Sequence, residues 1–194
     1  MSITPKSIKE NTNFIIETWH TKGIEIASIQ TRKILEQAKV EWLSSLTDDL
    51  IEYICLAEKG RKLSSGKLII ANTILGSLVE SWLKYFYSVY YAAYEKEDSE
   101  INKKKKNGKT SLILPNLLSL ERLKQFGNSH VWTENEFEDF FETVQKRRNI
   151  IHSFNTPKVT LGDEHDFLKL IKEYEKFLEN LVVRLPDIEF DFVR

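Results

Sequence analysis

Apolar residues in this chain recur at three- and four-residue steps, the period of helices rather than of strands. The longest such run covers residues 67 to about 94. There Ile70, Ile74, Leu78, Trp82, Phe86 and Val89 form one stripe, and Ile69, Leu75, Leu83, Tyr87, Tyr90 and Tyr91 widen it. So broad a face predicts the central helix of a bundle, buried on more than one side. Upstream, Ile15, Ile16, Trp19, Ile24, Ile26, Ile29, Ile34, Leu35 and Trp42 predict helix over about residues 8–42, with Gly23 as the expected break. Ser45 followed by Asp48 resembles a capping box opening residues 46–58, either restarting that helix or beginning another. A polar connector, residues 61–65, separates Gly60 from Gly66.

Residues 95–110 change character, with acids first, then Lys103, Lys104, Lys105 and Lys106, then Asn107-Gly108-Lys109. They predict a flexible charged loop. Such a run is ordinarily a solvated face, but four lysines in a row also concentrate positive potential for phosphate, which makes them candidate RNA contacts. No aromatic residues interleave with them to stack bases. A short helical stretch over residues 112–126 is interrupted by Pro115, and residues 127–130 predict a loop carrying His130. Thr133 with Glu136 forms a second capping box, opening a helix expected to reach about residue 153, where Asn155-Thr156-Pro157 ends it. The final helix starts at Asp163 or Glu164 and buries Phe167, Leu170, Ile171, Tyr174, Phe177, Leu178, Leu181 and Val182. Leu185-Pro186 closes it, leaving a tail, 187–194, as an extended arm or a loose end. The fold class expected is all-α, a single up-and-down bundle of about five helices forming one domain over residues 1–194.

Composition narrows the possibilities. At 194 residues one domain can bury a sizeable core, and only 7 Gly and 4 Pro leave few tight turns for an all-β fold. The net charge of -1 supplies no global attraction to nucleic acid or membrane, so any such role must rest on local patches. The lone Cys55 cannot form an intrachain disulfide, and with 4 His it makes a structural zinc centre unexpected. No cofactor is implied. No stretch approaches the ~20 apolar residues of a membrane span, and the first residues lack a signal-peptide core. The expectation is a soluble cytoplasmic protein without a membrane partner.

One constellation carries chemistry. On the helix after Thr133, Phe137, Phe140, Phe141, Val144 and Ile151 form a stripe, yet Arg148 falls in the middle of it and His152 about 40° away. Arg147 and Asn149 lie on opposite flanks. Cations buried without purpose would cost several kcal/mol as an order of magnitude. Three explanations compete. Arg and His are favourable near a helix C-terminus, which accounts for their position along the helix but not for the face they occupy. Alternatively, an acid on a neighbouring helix pairs with them; Glu80 is the candidate, being otherwise a solvent-facing or interface-edge acid inside the central helix. The third is a polar cleft for a phosphodiester, where Arg holds phosphate in bidentate fashion and His moves protons.

The run Arg147-Arg148-Asn149-Ile150-Ile151-His152 near the end of the penultimate helix of an all-helical chain resembles the HEPN superfamily. Its hallmark is an Arg, four to six intervening residues, then a His, often with a polar residue directly after the Arg. Arg147 and His152 meet that spacing; Arg148 is directly followed by Asn149 but lies only three residues from His152. The resemblance implies a metal-independent endoribonuclease of prokaryotic defence or toxin-antitoxin systems, whose site forms where two protomers juxtapose their motif helices. It implies Arg147 and His152 as catalytic, with Arg148 and Asn149 positioning phosphate or fixing the site; Glu80, from its place inside the central helix, is a further candidate for orienting a site arginine. The partners implied are a second copy of the chain, RNA and an antitoxin protein. Two alternatives stay open: a non-catalytic RNA-binding or protein-interaction module on the same scaffold, and a purely structural protein whose Arg148 and His152 are neutralised within one protomer.

Overall fold

Local chemistry starts and stops the helices of this chain, whose computed structural model describes residues 5–97, 99–106, 108–132, 136–152 and 160–186. Helix α1 (Pro5–Ile15) widens into a π-helical stretch, Ile16–Gly23, and ends in the turn Ile24–Ile26. Gly23 keeps a right-handed helical backbone, so the break expected there falls later, where Ala27 turns extended. Ser28 then caps α2 (Ile29–Leu35) by accepting from the Thr31 N–H at 3.1 Å. Helix α3 spans Val40–Glu58 without interruption, so Ser45 and Asp48 lie inside it and open nothing. Interior N–H groups are already taken by the preceding turn. Asp48 instead pairs with Lys9 Nζ of α1 at 2.7 Å.

Helix α4 (Ser65–Val89) is the expected central helix, capped by Ser64 Oγ on the Lys67 N–H at 3.3 Å and buried on several faces. Tyr90 breaks it, and α5 (Tyr91–Lys96) follows. Residues 95–110 then depart from the loop expected of them. Lys103–Lys106 and Lys109–Leu112 are strands β1 and β2 of an antiparallel hairpin, with Lys106 opposite Lys109. The Asn-Gly dipeptide between them is a hairpin signal that the lysine run obscures, and Gly108 takes the positive φ (74°) such turns need. Asn102 roots the hairpin by donating from Nδ2 to the carbonyls of Tyr94 (3.0 Å) and Glu97 (3.1 Å).

Helix α6 (Leu120–His130) includes residues 127–130, where the sequence predicts a loop. Gly127 is no breaker there; it is the point where the ring of Trp132 and the hydroxyl of Tyr87 press onto the helix. Thr133 lies outside the described residues. Phe137 holds the cap position of α7 (Glu138–Arg148), whose α geometry stops at Arg148 before a 3-10 turn, Asn149–Ile151. Helix α8 (Glu164–Arg184) opens on a reciprocal cap, Asp163 Oδ1 accepting from the Asp166 N–H at 3.0 Å. The tail 187–194 lies outside the described residues.

The class is therefore all-α, with more helices than the five expected, because the short α2 and α5 continue the hydrophobic pattern of their longer neighbours. One contiguous apolar core joins them. Its densest part is aromatic: Phe177 of α8 lies 5.7 Å from Phe137, 5.9 Å from Phe140 and 5.4 Å from Phe141, and Trp132 closes the cluster. Burial of each such ring contributes about 1.5–3 kcal/mol before entropy is counted. This cluster fixes the start of α7 and so aims its far end at α4. Among the described residues no helix is long and apolar enough to cross a membrane.

Candidate functional site

Successive residues on an α-helix diverge by about 100°, and the last turn of α7 sends its two arginines to different neighbours. The stem of Arg148 lies directly on the backbone of α4 at Gly76. A Cβ there would sit 2.7 Å from Arg148 Cδ and 2.8 Å from its Cβ. Only a glycine lets the two helices meet with an arginine between them. One turn along α4, Arg148 Nη1 donates to Glu80 Oε2, while Glu80 Oε1 accepts from Lys84 Nζ at 2.6 Å. Burial pushes the Glu80 carboxyl up, but the hydrogen bonds and charges of Lys84 and Arg148 outweigh it and hold the group below the usual carboxylate range. The pairing of Arg148 with an acid on a neighbouring helix is thus present, and Glu80 is the acid.

Arg147 turns the other way. Its Nη2 lies 2.8 Å from where a Cβ on Gly162 would be, against the turn that leads into α8. Its Nη1 is buried without a hydrogen-bond partner. His152 follows the 3-10 turn, its N–H donating to the Asn149 carbonyl at 3.0 Å, and its side chain is exposed. A 3-10 turn advances about 120° per residue, so the angular count for an unbroken α-helix fails beyond Arg148. Even so, Arg148, Asn149 and His152 line one open cleft of about 530 Å³ together with Gln145 of α7, Thr73, Ser77 and Glu80 of α4 and Glu121 of α6. Arg147 does not line it, nor do Lys103 and Lys104. Within one chain the structure brings Arg148, not Arg147, to the side of His152.

The charge balance of the cleft follows from its pairs. Each of its two carboxylates is matched by a lysine of its own helix: Glu80 by Lys84, and Glu121 by Lys124 at 3.1 Å. Glu80 is shared between Lys84 and Arg148, so with the Glu121–Lys124 pair these five groups sum to one positive charge, and of the three cations only Arg148 lines the cleft. An anion of phosphate size fits the Arg148 guanidinium, whereas the hydroxyls of Thr73 and Ser77 are committed as donors to the carbonyls of Ile69 (2.8 Å) and Thr73 (2.9 Å) of their own helix. No group of three or more His, Cys, Asp and Glu able to hold a metal occurs among the described residues.

Gly76, Lys84 and Glu121 join the site without having stood out in the sequence. Glu80 and Lys84 are four apart with the acid first, a spacing that favours pairing on one helix, and a glycine inside an apolar helical run marks a close approach. Both signals are readable. Comparison with known proteins gave no matching family model, curated protein or solved structure.

Proposed function

We propose that this chain is a metal-independent endoribonuclease of a defence or toxin-antitoxin system, acting on RNA in the cytoplasm through a composite site built by two copies. The observation that carries this is the shared cleft of Arg148, Asn149 and His152, with the Arg148 guanidinium held there by Glu80. In it, Arg148 clamps the scissile phosphate, Asn149 donates to a phosphate oxygen and Glu80 holds the guanidinium in place. RNA carries its own nucleophile. The 2′-oxygen bonds to phosphorus as its proton passes to one His152 imidazole, and the bond from phosphorus to the 5′-oxygen breaks with its electron pair. A protonated His152 of the second copy returns a proton to that oxygen. The products are a 2′,3′-cyclic phosphate and a 5′-hydroxyl, and an antitoxin protein would act by covering the cleft.

A second reading, a non-catalytic RNA-binding or protein-interaction module, is favoured by one observation: Arg147, the arginine at the family's spacing, faces Gly162 instead of the cleft. The test is RNA cleavage in EDTA by the wild type and by His152→Ala, with solution mass measured alongside. Cleavage by a dimer, lost in the variant, supports the nuclease. An inactive wild type, or a variant as active as wild type, overturns it, and so does activity from a strict monomer.

A further inference from the structure

A second opening, of about 330 Å³, lies between α2, α3, α4 and the turn Pro115–Leu117. Its walls are apolar, from Leu35, Leu43 and Leu46, and Trp42 joins them while remaining 64% exposed. Two residues that line it carry an unsatisfied buried polar atom. Tyr85 is only 3% exposed, and its hydroxyl is buried with no hydrogen-bond partner. Asn116 donates from Nδ2 to Gln37 Oε1 at 3.1 Å, which fixes the amide and leaves its Oδ1 buried and unpartnered. Native proteins leave few such groups, and each calls for an explanation. Here two belong to residues lining one pocket, the pattern of a small-molecule site with a few placed polar groups in apolar walls.

The pocket adjoins the cleft. Ser81, Lys84 and Tyr85 of α4 line it, while Ser77 and Glu80 line the cleft, and the Glu80–Lys84 pair bridges the two across one helical turn of about 5.4 Å. We propose that this pocket is a base subsite, holding the nucleobase next to the phosphate clamped by Arg148; this rests on the ribonuclease reading above. The ring stacks on Trp42 between the leucines, an N–H of its edge donates to Asn116 Oδ1, and a ring acceptor takes the Tyr85 hydroxyl proton. An acyl chain would leave both polar atoms unpaired, and a bare sugar phosphate would have no use for Trp42.

The full chain is titrated calorimetrically with the four ribonucleoside 5′-monophosphates and with ribose 5-phosphate, as wild type and as Trp42→Ala, Tyr85→Phe and Asn116→Ala. At least one nucleotide is expected to bind about tenfold or more tightly than ribose 5-phosphate. Trp42→Ala should weaken it about tenfold, and Tyr85→Phe and Asn116→Ala about three- to tenfold each. Tyr85→Phe should melt no lower than wild type, because it removes only an unpartnered hydroxyl. Nucleotides that bind no better than ribose 5-phosphate, fail to bind, or bind all three variants as they bind wild type overturn the subsite. The two proposals fail separately. Variant-sensitive nucleotide binding without RNA cleavage keeps the base site and sinks the nuclease; cleavage untouched by the three substitutions sinks the base site alone.

Discussion

At the start of α7, Phe137, Phe140 and Phe141 are at most 5% exposed and interlock with Phe177 of α8, whereas at its end Arg148 is 32% exposed and rests on one glycine and one carboxylate. The first end is held by area removed from water, which is non-directional and tolerant of small shifts. The second is held by a close approach and charge-assisted hydrogen bonds, which fix direction. One helix thus separates anchoring from aiming.

The contrast can be broken at either end. The largest effect is expected from Phe141→Ala, which removes a ring with no exposure and should cost about 3–5 kcal/mol in urea unfolding. A cost no greater than that of Arg148→Ala would abolish the distinction. Gly76→Ala comes next. Its Cβ would press on the Arg148 stem at 2.7–2.9 Å, for an expected loss of about 1–3 kcal/mol together with RNA cleavage. Gly66→Ala, whose Cβ meets nothing closer than 4.0 Å, is the matched control and should leave cleavage unchanged.

Glu80→Gln should cost about 1–2 kcal/mol near neutral pH. Because the Glu80 carboxyl is held below its ordinary range by Lys84 and Arg148, its contribution is fully present above the unfolded-state pKa of about 4.3 and fades as pH falls through the lower folded value. The wild type and the variant should therefore converge in melting temperature on acidification, and a gap that widens there contradicts the pairing. The smallest effect is expected from Lys104→Glu on the exposed hairpin, within about 0.5 kcal/mol in stability. If that lysine touches RNA, the salt dependence of single-strand binding should fall by about 0.7 in logarithmic slope for each phosphate it neutralises; an unchanged slope removes Lys104 from the interface.

The aromatic end is legible in the sequence because burial imposes a helical period: Phe137, Phe140, Phe141 and Val144 all face the core. The long helices α4 and α8 are legible for the same reason, and α8 also through the acid at its cap. The cationic end is legible only in part. Arg148 can be placed on the inward face, but the switch to a 3-10 turn after it has no periodic signature, so the direction of His152 does not follow. Glu80 stands out as an acid in an apolar run, whereas its closeness to Arg148 depends on Gly76, and a glycine's role at a helix crossing is visible only once the partner helix is in place. The hairpin of Lys103–Lys106 is hidden because a run of like charge suggests a solvated loop and outweighs the short Asn-Gly turn signal.

Which arginine serves the cleft is the central question, and one assay decides it most directly. RNA cleavage in EDTA is compared for Arg147→Ala, Arg148→Ala and His152→Ala, each below its own melting midpoint. Arg148→Ala and His152→Ala should each lose about 100-fold or more, while Arg147→Ala should stay within about fivefold of wild type, since its guanidinium lies against Gly162. An Arg148→Ala protein that still cleaves beside an inactive Arg147→Ala protein would contradict the account.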